Sequence, residues 1–179
     1  MKTTEILIAG FGGQGILFSG KFLAYKGLFE ELQVSWLPSY GPEMRGGTAN
    51  CNVILSDGPV GSPIITAPDV LVAMNLPSLE KYVDTVLPGG QIYVDSSLID
   101  ATVEREDVDV FYIPATQMAK DAGISSLANM IIVGHLLENH PELSFDGVEE
   151  VVEKLVPPKK AALKELNLKA LSLGKSYNK

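Results

Sequence analysis

A chain of 179 residues, 46% of them hydrophobic, can build one ordinary core and is not a disordered polymer. Its formal charge of −8 and pI of about 4.7 argue against free nucleic-acid binding, which needs a basic surface to neutralise phosphates. There is no apolar run of the roughly 18 residues a membrane span requires. Met1-Lys2-Thr3-Thr4-Glu5 is not followed by a signal-peptide core, so a cytoplasmic protein without a membrane span is expected.

The first predicted element is a short apolar strand, Glu5–Ala9, running straight into Gly10-Phe11-Gly12-Gly13-Gln14-Gly15 and a helix over about Gln14–Leu28. Strand, glycine-rich turn and helix open a doubly wound α/β domain. Such a turn leaves backbone N–H groups free at a helix N-terminus, where they suit a phosphate or another close-approaching partner. Tight strand–helix packing explains the glycines as well.

A dinucleotide fingerprint also needs a carboxylate after the second strand. That strand is predicted at Val34–Leu37 and ends in Pro38-Ser39-Tyr40, with no acid; the absence of Gly-Lys-Ser/Thr excludes a P-loop.

A long loop, Ser39–Thr48, precedes an alternating strand, Ala49–Ser56, and the turn Asp57-Gly58. Asp69–Met74 reads as a buried parallel strand from its unbroken apolar run. A helix is predicted from Pro77 to Pro88-Gly89-Gly90, then strands at Gln91–Asp95 and Asp109–Ile113 and a short helix at Gln117–Ala122. Ser125 or Ser126 is expected to cap the next helix, with Asn129 in its first turn. Asp146–Val156 is amphipathic, Pro157-Pro158 breaks it, and Lys159–Gly174 is a further helix. The expected fold is Rossmann-like α/β: a doubly wound, mostly parallel sheet with helices on both faces. It forms a single domain over residues 1–179, with a helical C-terminal part from about residue 144.

Cys51, the only cysteine, excludes an intrachain disulfide and any iron–sulfur cluster ligated by cysteines of this chain alone. It sits in the alternating strand and reads as a small buried hydrophobe. His135 and His140 lack zinc spacing and read as capping or solvent-facing side chains; no metal site is expected.

The second concentrated signal is the loop Ser39-Tyr40-Gly41-Pro42-Glu43-Met44-Arg45-Gly46-Gly47-Thr48. Following the second strand, it lies near the carboxyl ends of the strands, where open α/β sheets bind ligands. It is either a structural loop closed by Glu43 and Arg45 or a loop that meets a cofactor, substrate or partner subunit.

Together, the glycine-rich turn and this loop resemble the gamma subunit of 2-oxoacid:ferredoxin (acceptor) oxidoreductases. Asn129-Met130, opening an apolar helix, resembles that family too, and the likeness spans about residues 4–175. Phe11 and Arg45-Gly46-Gly47-Thr48 look more like the 2-oxoglutarate branch. The pyruvate branch tends to have Arg where Phe11 sits and Ala-Pro where Gly47-Thr48 sits.

The resemblance implies a part in oxidative decarboxylation of a 2-oxoacid with coenzyme A, giving acyl-CoA, CO2 and reduced ferredoxin or flavodoxin. Thiamine diphosphate, magnesium and iron–sulfur clusters would belong to partner subunits. It implies alpha and beta subunits, with or without a ferredoxin-like delta subunit, and a chain inactive alone. A homodimer of the isolated chain is left open. Candidate contacts to cofactor or coenzyme A are Gly12, Gly13, Gln14, Gly15, Tyr40, Glu43, Arg45, Gly46, Gly47 and Asn129; no catalytic residue is identified. A diphosphate would suit the free N–H groups of Gly12, Gly13 and Gly15, and Arg45 could pair with a phosphate or carboxylate. The competing readings are a stand-alone Rossmann-like nucleotide- or phosphate-binding module and an independent nicotinamide enzyme. Partner surfaces are expected at the loop 39–48, at Ile64-Ile65 and on the C-terminal helix.

Overall fold

A computed structural model describes residues 2–39 and 48–178. Its strands are β1 (Thr3–Phe11), β2 (Gln33–Ser39), β3 (Thr48–Ser56), β4 (Val70–Ala73), β5 (Gln91–Asp95) and β6 (Asp109–Ile113). Its helices are α1 (Ile16–Phe29), α2 (Leu76–Tyr82), α3 (Ala115–Asp121), α4 (Ala128–Asn139), α5 (Val148–Leu155) and α6 (Ala161–Lys175).

The six strands form one sheet in the order β2-β3-β1-β4-β5-β6. β1, β4, β5 and β6 pair in parallel, while β3 runs antiparallel to both neighbours. The sheet is therefore mixed. β2 leads directly into β3, and β3 occupies the place beside β1 that a strictly parallel order would give to β2.

β4 is buried on both faces, as its continuous Val-Leu-Val-Ala run requires at the centre of a parallel sheet. Ile6, Ile8, Cys51, Val53 and Val72 face a large core beneath α1 and α3–α6. Alternate residues on the other face, Leu7, Leu71, Ala73, Ile92 and Val94, meet Leu79 of α2, Val86 and Ile99. α4 is apolar on all sides because it lies inside the first layer, and its residues from Ala128 to Leu137 are all buried.

α4 and α6 cross at two glycines. A Cβ on Gly134 would fall inside contact distance of the Leu171 carbonyl, and one on Gly174 would meet the Ile131 carbonyl. His135 seals this crossing. Its Nδ1 donates to the Gly174 carbonyl at 3.1 Å, and its ring stands edge-on to Phe111 and Tyr177, each 5.6 Å away. Burial pushes its pKa down, as it does for His140. Both histidines are buried, which corrects the expectation of a solvent-facing role, whereas His140 does cap a helix: it is the C-cap residue of α4, its backbone N–H donating to the Leu136 carbonyl at 2.9 Å.

Two helix starts also differ from expectation. Ser125 and Ser126 lie in a 3-10 turn, Ser125–Leu127, and α4 follows it with no side-chain cap. α2 begins at Leu76 because Asn75 caps it, accepting from Ser78 N at 2.9 Å, and it passes into a 3-10 turn at Val83–Thr85 before Pro88.

Gly134→Ala sets an immovable backbone oxygen against about 1 kcal/mol of helix propensity. A net loss of about 2 kcal/mol is expected, lowering Tm by roughly 4–8 °C in a thermal melt. The histidines predict an acid-labile fold. Their folded pKa values lie below the unfolded value near 6.5, so the unfolded chain binds more protons. Stability in urea should hold above about pH 7 and fall as pH drops below about 6.5, by up to about 1.4 kcal/mol per pH unit for each histidine. His135→Gln should flatten that slope.

Candidate functional site

The centre of the sheet supplies the site. β1 and β4 are neighbours from which the chain departs to opposite sides, and ligands of open α/β sheets bind at the carboxyl end of such a junction. β1 reaches α1 through Gly12–Gly15, with Gly13 at φ +92° and Gly15 at φ +76°, both left-handed and available to glycine at little cost.

Gln14 locks this reversal. Its Oε1 accepts from Phe11 N at 2.6 Å and its Nε2 donates to the Met74 carbonyl at 3.0 Å, tying the turn to the end of β4. Gln14 thus shapes the turn through its own side chain.

Asn129 holds the turn from the other side. It is 3% exposed; its Nδ2 donates to the Gly15 carbonyl at 3.1 Å and to Ser19 Oγ at 3.0 Å. A Cβ on Gly15 would come within 2.5 Å of that amide nitrogen, so this glycine makes room for Asn129. The Asn129 Oδ1 is buried with no hydrogen-bond partner among the described residues. At Gly13, by contrast, a Cβ would meet nothing within 4 Å, so its backbone faces open space. The first helical hydrogen bond is Ser19 N to the Gly15 carbonyl, which leaves the earlier N–H groups of α1 without intrahelical acceptors.

A cleft of about 190 Å³ opens beside Gly13 and Gln14, walled by Met74, Leu98, Thr116 and Ser126. On the β3 side the turn borders a second cleft, about 290 Å³, next to Phe11, Leu17, Phe18 and Ala49. A larger hollow of about 520 Å³ lies at the opposite edge of the sheet, near Lys2, Asp69 and His140. It is bordered by the turn Pro88-Gly89-Gly90, but that turn leads into β5, so no helix N-terminus faces this hollow.

The sequence reading missed Asp95, a wholly buried carboxylate at the end of β5. It accepts from Thr116 Oγ1 at 2.5 Å, from Thr116 N at 3.3 Å and from Ser97 N at 3.1 Å. It therefore caps α3, which explains the helix start at Ala115 instead of the expected Gln117. It also commits the Thr116 hydroxyl proton, so that Thr116 presents lone pairs towards the cleft. The available signal was an apolar strand ending in a carboxylate just ahead of Ser96-Ser97.

Of the sequence-predicted residues, Gly12, Gly13, Gln14, Gly15 and Asn129 converge on this turn. Tyr40, Glu43, Arg45, Gly46 and Gly47 lie outside the described residues. The strands flanking that loop do arrive here, since Thr48 pairs with Phe11 across the β1–β3 ladder.

The chain's own chemistry is sparse. Cys51 is wholly buried beside Trp36, and burial pushes its thiol up to about 12, so it is protonated and inert. Among the described residues no three His, Cys, Asp or Glu side chains gather to hold a metal ion, and no helix is long and apolar enough to cross a membrane. A ribose-binding carboxylate also lacks its place: β2, whose end would carry it, is separated from β1 by β3.

Comparison with known proteins agrees with this architecture. The model of the pyruvate ferredoxin/flavodoxin oxidoreductase family matches residues 5–177. The ketoisovalerate oxidoreductase subunit VorA of Methanothermobacter thermautotrophicus is 38% identical over 177 residues, which cover 97% of this chain and 36% of VorA. The chain thus spans about a third of the length of that relative. The 2-oxoglutarate synthase subunit KorC of the same organism is 37% identical over 178 residues, covering 96% of this chain and 93% of KorC. The gamma subunit of a keto/oxoacid ferredoxin oxidoreductase from Geobacter sulfurreducens superposes with a TM-score of 0.81 at 31% identity, covering 96% of this chain and 95% of that one. The chain belongs to the pyruvate ferredoxin/flavodoxin oxidoreductase family, in the form of its gamma subunit.

Proposed function

We propose that this chain works in a 2-oxoglutarate:ferredoxin oxidoreductase, where alpha and beta subunits hold thiamine diphosphate, magnesium and the iron–sulfur clusters. The assembled enzyme would convert 2-oxoglutarate and coenzyme A to succinyl-CoA and CO2 and pass electrons to ferredoxin or flavodoxin. The observation that carries the reading is the end-to-end likeness to KorC, together with a glycine turn held open at the sheet's central junction. A cytoplasmic location belongs to the same proposal.

The residues of this chain do not fit the electron-carrying or decarboxylating groups. Its one thiol is sealed in the core, and no metal-holding cluster is present among the described residues. No chemical step is therefore assigned to it. What it offers is a binding edge. The backbone of Gly12, Gly13 and Gly15 and the first turn of α1 suit the diphosphate of coenzyme A, the substrate that brings phosphate to the reaction. Thr116, fixed as an acceptor by Asp95, suits an amide or hydroxyl donor of the same ligand. Arg45 would pair with a phosphate or carboxylate of the ligand, and Tyr40 and Glu43, on the same loop, are further candidate contacts.

Capture of the chain from extract of its own cells should bring down alpha and beta chains, identified by mass spectrometry, with coenzyme A-dependent dye reduction specific for 2-oxoglutarate. Capture of the chain alone would overturn the reading. Ketoisovalerate as the preferred acid would overturn the choice of substrate. In the assembled enzyme, Gly13→Val should raise the Michaelis constant for coenzyme A about tenfold or more and leave that for the 2-oxoacid unchanged. Gly13→Ala carries the same left-handed strain with less bulk and controls for folding. An unchanged coenzyme A constant in Gly13→Val would remove the turn from the ligand site.

A further inference from the structure

A doubly wound sheet ordinarily buries both faces. Here the face opposite α1 is covered unevenly. α2 contacts β1 and β4, and Val86 and Ile99 extend that layer. On the same side of β2 and β3 lies the extended segment 57–69, attached where Asn52 Nδ2 donates to the Pro63 carbonyl at 3.4 Å. Register places Ser35, Leu37 and Ser39 of β2 beside Asn50, Asn52 and Ile54 of β3 on this side, because Val34 and Trp36 point into the α1 core.

None of these β2 and β3 side chains is charged; the nearest carboxylates, Glu5 beside Ile54 and Asp69 next to it, lie at the end of the strands away from Leu37. Residues 58–68 also contain no Asp, Glu, Lys or Arg, in a chain where 20% of residues are charged. Ile64 is nevertheless 63% exposed and Leu37 39% exposed. Two exposed large apolar side chains among uncharged polar neighbours match the charge-depleted composition of an interface core.

The relatives identify the occupant. In VorA this domain makes up 36% of a longer polypeptide, whereas it matches 93% of KorC. The same domain thus stands both joined to and separate from a further stretch of protein, and the separate form needs a non-covalent surface to meet it.

We propose that the uncharged face around Leu37 and Ile64 docks the subunit that corresponds to the remainder of the VorA polypeptide. The contact completes the missing layer over β2 and β3. The proposal rests on the subunit reading above. Because the side chains around Leu37 and Ile64 are uncharged, the contact should persist at about 1 M salt, where exposed ion pairs are screened.

The test is co-expression of tagged chain with its alpha and beta subunits, comparing wild type, Ile64→Asp and Leu28→Asp. Leu28 is 56% exposed at the far end of α1 and serves as the control. Ile64→Asp should reduce captured alpha and beta chains about tenfold or more, with the chain's own circular dichroism and Tm unchanged. Leu28→Asp should capture wild-type amounts. Wild-type capture by Ile64→Asp overturns this proposal alone. An Ile64→Asp chain that loses only self-association, with alpha and beta retained, assigns the face to a second copy and also overturns it. Absence of alpha and beta chains with the wild-type protein overturns this proposal and the subunit reading together.

Discussion

β1 must reverse into α1 within four residues at the middle of the sheet, and only left-handed backbone at Gly13 and Gly15 lets it do so. The rest of the site follows from that reversal. Gln14 can reach from the turn to both Phe11 and Met74 because the turn is that tight. α1 then starts directly above the end of β1, with its unsatisfied N–H groups at the sheet's carboxyl edge. Asn129 fits against Gly15 because no Cβ stands there, and so anchors α4 to the same point. One turn therefore sets the register of sheet, first helix and the most buried helix at once.

The two ends of the sheet depend on this centre in different ways. Towards β6, the carboxylate of Asp95 repeats the logic of the turn: a strand ends, and a polar group receives the start of the next helix. Towards β2, the reversed strand β3 moves the chain's second crossing away from β1. The end of β2 is then too far out for the ribose contact that a dinucleotide fold makes there. The glycine pattern is shared with nucleotide-binding proteins; the strand order beside it is not.

Much of this was legible in the sequence, because local chemistry determined it. The apolar run of β4, the exact limits of β5 and β6, the Pro157-Pro158 break and the glycine turn are each decided by residues within a few positions. What was not legible depended on distant partners. Asn129 and Gly15 lie 114 positions apart, and neither residue type announces the other. Asp95 gives α3 its cap from 21 positions away, so the start of that helix was placed two residues late. The expectation of a serine cap on α4 followed a sound local rule, but the intervening 3-10 turn moved both hydroxyls ahead of the helix. His135 and His140 looked peripheral by sequence position, yet packing of α6 and the turn after α4 encloses them.

Among the described residues, four deeply buried side chains that could react are already committed. Cys51 is sealed against Trp36, His135 is hydrogen-bonded between two helices, Asp95 is saturated by a helix cap, and Lys26 is buried in an ion pair with Glu30. A fold that spends its polar groups on its own architecture leaves mainly backbone, hydroxyls and apolar walls at the crevice. Those are groups for holding a ligand in place, and they supply neither a nucleophile nor an electron carrier. On the proposed subunit reading, a second polypeptide would bring the reactive groups to the edge this domain has prepared. That arrangement works whether the two are joined in one chain, as VorA's greater length allows, or kept as separate subunits.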